Sequence, residues 1–134
     1  MCAKSSAEPF EQIASQLEAA SSLLLLSHAR PDGDALGSMV AMALTAVDAG
    51  KTACVVAPHD PPAKYAFLLD GVQSTLPEEF AEQAALYDCV LVLDTCAFSQ
   101  LEGLKTALDS NPDKIAVMDH HLTVSYTHLT LPTN

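Results

Sequence analysis

The fold is decided by residues 23–38, which read LLLLSHARPDGDALGS. The apolar run Leu23–Ser27 is typical of a buried strand, and Pro31-Asp32-Gly33 after it predicts a loop. From Asp34 to Ala49 the pattern becomes helical, and Gly50 is placed to end that helix. Its predicted apolar stripe consists of Leu36, Met39, Val40, Ala43, Leu44 and Val47. This stretch therefore predicts a strand, a polar loop and a helix in direct succession.

The same alternation continues on both sides of this stretch. An amphipathic helix is predicted over Phe10–Ala20, where Phe10, Ile13, Ala14 and Leu17 recur at helical spacing. Three further apolar runs predict strands: Thr52–Ala57, Cys89–Leu93 and Lys114–Met118. Helical segments are predicted between them: a short turn over Tyr65–Leu69, then Glu78–Tyr87 and Ser99–Leu108. Because the strands are continuously apolar, we expect an α/β fold with a mostly parallel sheet covered by helices on both faces.

Composition narrows the functional classes. The 134 residues fit one domain, and their 49% hydrophobic content can build a core. A formal net charge of −11 disfavours duplex DNA as a partner, whereas a nucleotide held by metal ions stays compatible. The four cysteines form no C-x-x-C pair, which favours a reducing, cytoplasmic location. Neither a signal peptide nor a membrane span is predicted.

Three polar clusters follow predicted strands directly. The first runs from His28 to Ser38, the second is Asp94-Thr95, and the third is Asp119-His120-His121. Because ligands bind beyond the carboxyl ends of parallel strands, we expect these clusters to converge. Imidazole and carboxylate ligands without thiolates favour Mn²⁺ or Fe²⁺, with Mg²⁺ and Zn²⁺ as alternatives. Two such metals would clamp a phosphate, and Asp94 is placed to bridge them.

Each cluster also has a purely structural interpretation. His28 alone is compatible with a hydrogen-bonded strand end, and Asp34 or Asp94 with a helix N-cap. Asp119-His120-His121 alone is compatible with a polar loop. The three clusters together, in this order, favour a metal site. Other candidates stay structural: Cys96 as an ordinary thiol, His59 as a loop residue, and Gly33 and Gly37 without a dinucleotide fingerprint.

These residues carry a family resemblance. His28-x-x-Pro31-Asp32-x-Asp34-Ala35-x-Gly37-Ser38, then Asp94-Thr95, then Asp119-His120-His121 resemble motifs I, II and III of the DHH phosphoesterase superfamily. The spelling of the first motif is closest to the NrnA-like branch of bifunctional oligoribonucleases and 3′-phosphoadenosine-5′-phosphate phosphatases. A manganese-dependent pyrophosphatase, a cyclic-dinucleotide phosphodiesterase and an inactive nucleotide-binding module remain alternatives.

The resemblance implies the ligands of two metals. One metal would lie on His28, Asp32 and Asp94, and a second on Asp34, Asp94 and His120. His121 and Asp119 would face the substrate phosphate or support the ligands. The substrate would be a short oligonucleotide or nucleotide, hydrolysed by attack of an activated water on phosphorus. Membrane contact is not expected, and a homodimer is compatible with the resemblance.

The sequence departs from the family pattern in three respects. A fourth motif with another aspartate ligand, and a DHHA1 domain, are not found in the sequence, and Gln100 stands where members often carry arginine. Residues Val124–Asn134 contain no Asp, Glu, Lys or Arg and resemble translated adapter sequence. We therefore expect a truncated DHH domain over residues 1–123 followed by a non-native tail, with a genuine edge strand as the alternative.

Overall fold

The computed structural model describes residues 7–94 and 104–119. Within these ranges the helices are α1 (Ala7–Ala19), α2 (Gly33–Asp48), α3 (Phe80–Leu86) and α4 (Lys105–Asp109). The strands are β1 (Ser22–Leu26), β2 (Thr52–Val56), β3 (Ser74–Thr75), β4 (Cys89–Leu93) and β5 (Ile115–Met118). Short 3-10 helices cover Ala66–Leu69, Pro77–Glu79 and Pro112–Lys114.

The strands form one parallel sheet in the order β3-β2-β1-β4-β5. Side chains alternate between its two faces, so that Leu25 joins the core beneath α1 and α2, whereas Leu24 joins the core beneath α3 and α4. Both leucines are fully buried, and each contributes about 1.5–3 kcal/mol through removal of its side chain from water. The predicted α/β fold with a doubly covered parallel sheet is confirmed.

The N-cap of helix α2 lies two residues before the cap predicted at Asp34. Its N-cap is Asp32, whose side chain accepts a hydrogen bond of 2.9 Å from the backbone N–H of Ala35. Asp32 adopts an extended backbone, which an N-cap requires, while Asp34 already lies in the first helical turn. At the other end Gly50 has a φ of +83° and donates to the carbonyl of Val47, so the predicted stop is confirmed.

Three apolar side chains of the predicted helical stripes are exposed. Leu44 and Val47 of α2 are 55% and 57% exposed, and Phe10 of α1 is 64% exposed. The buried face of α2 instead continues from Ala43 to Ala46. Apolar spacing predicted the helices correctly, but which flank of a helix meets the sheet depends on its tertiary placement.

The remaining elements agree with the predictions in part. The helix predicted over Glu78–Tyr87 consists of a 3-10 turn followed by α3. Strand β3 was not predicted, because two residues carry no readable period. Of the helix predicted over Ser99–Leu108, only residues 104–108 lie among the described residues, where α4 begins at Lys105. The tail after residue 123 lies outside them. None of the helices described has the length and apolarity that crossing a bilayer requires.

Burial also sets the chemistry of Cys89 on β4. Burial raises the pKa of its thiol from an ordinary 9.0 to about 11. Between pH 9 and pH 11 the thiol thus stays mostly protonated in the folded protein, whereas it ionises in the unfolded chain. Its stabilising contribution is complete below pH 9 and is lost as the pH rises towards 11.

We expect Cys89→Ala to flatten the alkaline loss of stability. Between pH 9 and 10 the free energy of unfolding of the wild-type chain should fall more steeply than that of the variant, by up to about 1.4 kcal/mol. Urea unfolding at both pH values measures the difference. The variant itself will be less stable throughout, so the slopes are compared and not the absolute values. Parallel slopes would contradict a buried neutral thiol.

Candidate metal centre

Strand register brings His28 and Asp94 together. Strand β1 pairs with β4 so that Leu26 lies opposite Val92. His28 and Asp94 each follow two residues later, and they leave the sheet at the same edge. The imidazole Nε2 of His28 is 3.8 Å from Oδ2 of Asp94. The juxtaposition is therefore a direct consequence of the parallel pairing.

Asp32 reaches the same place from the start of α2. Its Oδ1 is 4.0 Å from Nε2 of His28 while it also accepts the hydrogen bond from Ala35. A carboxylate has about four lone-pair positions, so capping the helix leaves acceptor capacity for another partner. The N-terminus of α2 also carries partial positive charge, which stabilises the carboxylates of Asp32 and Asp34.

Ligand atoms of His28, Asp32 and Asp94 lie within 4.8 Å of one another. The Asp94 side chain is 5% exposed, that of His28 18%, and that of Asp32 66%, so the group opens from a buried floor towards solvent. One imidazole and two carboxylates without a thiolate suit a divalent cation such as Mn²⁺, Fe²⁺, Mg²⁺ or Zn²⁺. The adjacent hydroxyl of Ser27 is buried without a hydrogen-bond partner among the described residues, which also fits a site completed by a ligand.

Asp94 has a backbone conformation that the sequence did not reveal. Its φ is +60°, in the left-handed region that residues other than glycine seldom adopt. Its backbone N–H donates to the carbonyl of Met118 at 3.1 Å, which places Asp119 at the same edge. Residues with strained backbone of this kind cluster at active sites and ligand-binding sites. Aspartate and asparagine tolerate it best among residues with a side chain.

The other site residues predicted from the sequence either lie apart from this three-residue group or fall outside the described residues. Asp34 is exposed, lies 3.5 Å from the hydroxyl of Ser38 through Oδ1, and does not belong to the three-residue group. Asp119 is partly buried directly after β5. His120 and His121 lie outside the described residues, as do Thr95, Cys96 and Gln100. The second metal set of Asp34, Asp94 and His120 stays a prediction.

Two loop residues complete the description of this edge. His59, which the sequence left as a loop residue, contacts the Glu78 carboxylate at 2.6 Å in an exposed pair. Tyr65 was given no role, yet its ring lies directly against Gly33, between Asp32 and Asp34. A glycine between two candidate ligands was the only sequence signal for such an approach.

Comparison with known proteins shows the family of the chain and agrees with its fold. Residues 22–133 match the profile of the DHH family, N-terminal domain. The chain belongs to the DHH family.

Among similar solved structures is an exopolyphosphatase-related protein from Bacteroides fragilis, with a TM-score of 0.80 and 19% sequence identity. The alignment covers 98% of this chain and 40% of that protein, so the chain spans less than half of its length. This likeness supports the shared fold. A comparison with curated proteins gives no significant match.

We expect two substitutions at Asp32 to separate its structural role from its metal-binding role. In the presence of a chelator, Asp32→Ala should lower the free energy of unfolding by about 1 kcal/mol, because the N-cap is lost. Asp32→Asn keeps a capping oxygen, so it should lower the free energy of unfolding by only a few tenths of a kcal/mol.

Both substitutions remove the same charge, so both should weaken Mn²⁺ binding measured by titration calorimetry. Wild-type affinity in Asp32→Asn would exclude Asp32 as a ligand. Equal stability of the two variants would contradict the cap.

Proposed function

We propose that this chain provides the metal-binding domain of a phosphoesterase that uses two divalent cations, with Mn²⁺ as the first candidate. The observation that carries the proposal is the convergence of His28, Asp32 and Asp94 at the carboxyl edge of the sheet. Membership of the DHH family supports it. When bound, a pair of such cations neutralises phosphate charge and lowers the pKa of a bound water towards neutrality.

The chain's own residues would hold and orient these ions. His28 offers Nε2, Asp94 offers a carboxylate fixed by a buried and unusual backbone, and Asp32 offers a carboxylate oriented by Ala35. Such fixed placement matters, because a displacement of about 1 Å can cost about 100-fold in rate.

The second cation is assigned to Asp34, Asp94 and His120, with Asp94 shared by both ions. This part of the proposal is supported by the position of Asp34 one residue into α2 and by the ligand order along the sequence. Asp119 and His121 are proposed to face the substrate phosphate or to orient the ligands. The backbone contact between Asp94 and Met118 supports a place for Asp119 near the ions.

The proposed substrates are short oligonucleotides, cleaved to 5′-mononucleotides, and 3′-phosphoadenosine-5′-phosphate, cleaved to AMP. The spelling of the motif from His28 to Ser38 supports this choice, and the net charge of −11 disfavours duplex DNA. A cytoplasmic location belongs to the same proposal. The exopolyphosphatase-related neighbour supports phosphoanhydrides, including pyrophosphate, as a second candidate class.

The test of the metal assignment is Asp94→Asn. The amide is nearly isosteric and tolerates the left-handed backbone, so the fold should persist, but it cannot hold two cations. We expect Mn²⁺ stoichiometry to fall and hydrolysis to drop by at least about 100-fold, as the loss of positioning alone can produce. Hydrolysis is measured with this chain. It is also measured with a longer protein that includes any coding sequence downstream of the chain.

Asp88→Asn is the matched control, because Asp88 is an exposed aspartate at the opposite end of β4, where it accepts from the Ser21 N–H. It should leave metal binding unchanged. Parallel assays with a dinucleotide, the bisphosphate nucleotide, a cyclic dinucleotide, pyrophosphate and polyphosphate distinguish the substrate classes. Mn²⁺ binding without turnover of any of them would favour an inactive nucleotide-binding module. Full activity of Asp94→Asn would refute the assignment of Asp94.

A further inference from the structure

The Tyr65 ring fills the space beside the loop that carries Asp32 and Asp34. A Cβ atom added to Gly33 would lie 2.8 Å from Cζ of Tyr65, 2.9 Å from Cε1 and 3.1 Å from the hydroxyl oxygen. These distances are shorter than ordinary carbon contacts of about 3.5–4.0 Å. The φ of Gly33 is not positive, so glycine is needed here for the close approach of the ring and not for its backbone freedom.

Tyr65 is itself anchored on both sides. Its N–H donates to the carbonyl of Pro62 at 2.9 Å, and its own carbonyl accepts from Leu68 at 3.0 Å at the start of a 3-10 helix. The side chain is partly buried and packs against the core cluster beneath α2. The ring is thus part of the segment that follows β2, held against the start of α2 and not a free surface side chain.

The ring touches the start of α2, where Asp32 is the N-cap and Asp34 is the second helical residue. The N–H groups of Ala35 and Leu36 donate to the carboxylate and the carbonyl of Asp32, and these bonds tie Asp32 to the helix without fixing the helix start against the segment after β2. The aromatic ring against Gly33 limits how far the backbone between Asp32 and Asp34 can move towards that segment. Residues that orient metal ligands from outside the ligand set commonly alter metal affinity by about 10–100-fold when they are changed.

We propose that Tyr65 is a positioning residue, which sets the place of the Asp32–Asp34 backbone and thereby the affinity of the metal centre. This inference rests on the proposed function, since it requires Asp32 or Asp34 to bind a cation. It extends the candidate site to the segment after β2, to which the family motifs assign nothing. Ordinary packing, the alternative, would change stability without changing the metal affinity of the folded protein.

The first experiment compares Tyr65→Phe and Tyr65→Ala with the wild-type chain. Mn²⁺ affinity is measured by calorimetry, and ligand geometry by the absorption spectrum of the Co²⁺-loaded protein, at a temperature where all variants are folded. Tyr65→Ala should bind Mn²⁺ about tenfold more weakly and alter the Co²⁺ spectrum. Tyr65→Phe keeps the ring, so its Mn²⁺ affinity and its Co²⁺ spectrum should match those of the wild-type chain.

Lys64→Met is the matched control, because the Lys64 ammonium lies 5.0 Å from the centre of the same ring, while the three atoms nearest to a Cβ on Gly33 all belong to Tyr65. It should bind Mn²⁺ with nearly wild-type affinity. A loss of affinity in Lys64→Met as large as that in Tyr65→Ala would overturn the steric account. So would wild-type affinity and spectrum in Tyr65→Ala.

The second experiment places Gly33→Ala in two backgrounds. Alanine normally favours a helix over glycine, so without the ring this change should be neutral or stabilising. With Tyr65 present it should weaken Mn²⁺ binding, whereas in the Tyr65→Ala background it should cause no further loss. An equal loss in both backgrounds would show that the ring and the loop are not coupled.

The two proposals fail in different ways. If the wild-type chain binds no divalent cation, the proposed metal centre is wrong, and the exchange rate of the Ala35 amide then decides the role of Tyr65. That amide donates to Asp32, so a freer loop in Tyr65→Ala should exchange it faster without faster exchange in the sheet. If the wild-type chain binds Mn²⁺ and Tyr65→Ala changes nothing, only the positioning role is refuted.

Discussion

The parallel pairing of β1, β4 and β5 is the constraint on which the rest of the molecule depends. Leu26 lies opposite Val92, and Leu93 lies opposite Met118, so the residues that follow these strands leave the sheet side by side. A slip of one residue in either pair would move each side chain of the slipped strand to the opposite face of the sheet, into the core that it does not fit. The same slip would separate the candidate ligands. Core packing and the candidate site are therefore fixed by one set of hydrogen bonds.

The candidate site places charged side chains directly beside strands that are almost wholly apolar. Asp94 is buried in a left-handed conformation, and the carboxylate of Asp32 lies close to the same imidazole. A left-handed backbone at a residue with a side chain costs on the order of 1–3 kcal/mol, and the neighbouring carboxylates repel each other. A floor of fully buried side chains, such as Leu25 and Leu91, can sustain that cost. The sheet thus supplies rigidity, while the residues beyond its edge supply chemistry.

Much of the fold could be predicted because every described strand except β3 coincides with an apolar run in the sequence. Cys89–Leu93 is an uninterrupted apolar run, and the structure has the strand at those residues. Features that depend on distant partners were missed. Asp34 was offered as the helix cap, but the cap is Asp32, since both have the right chemistry and only backbone geometry separates them. The exposure of Leu44 and the left-handed φ of Asp94 likewise have no local signature.

Gly33 is the clearest case of a structural requirement that the sequence alone does not reveal. Between two aspartates it is indistinguishable from a turn glycine, and the partner that requires it, Tyr65, lies 32 positions further along the chain. That partner follows β2, while His28, Asp94 and Asp119 follow β1, β4 and β5. Four neighbouring strands of one sheet thus each direct one component towards a single edge. A candidate site assembled in this way is held by the whole sheet, so the position of each of its side chains depends on contacts that its own segment does not contain.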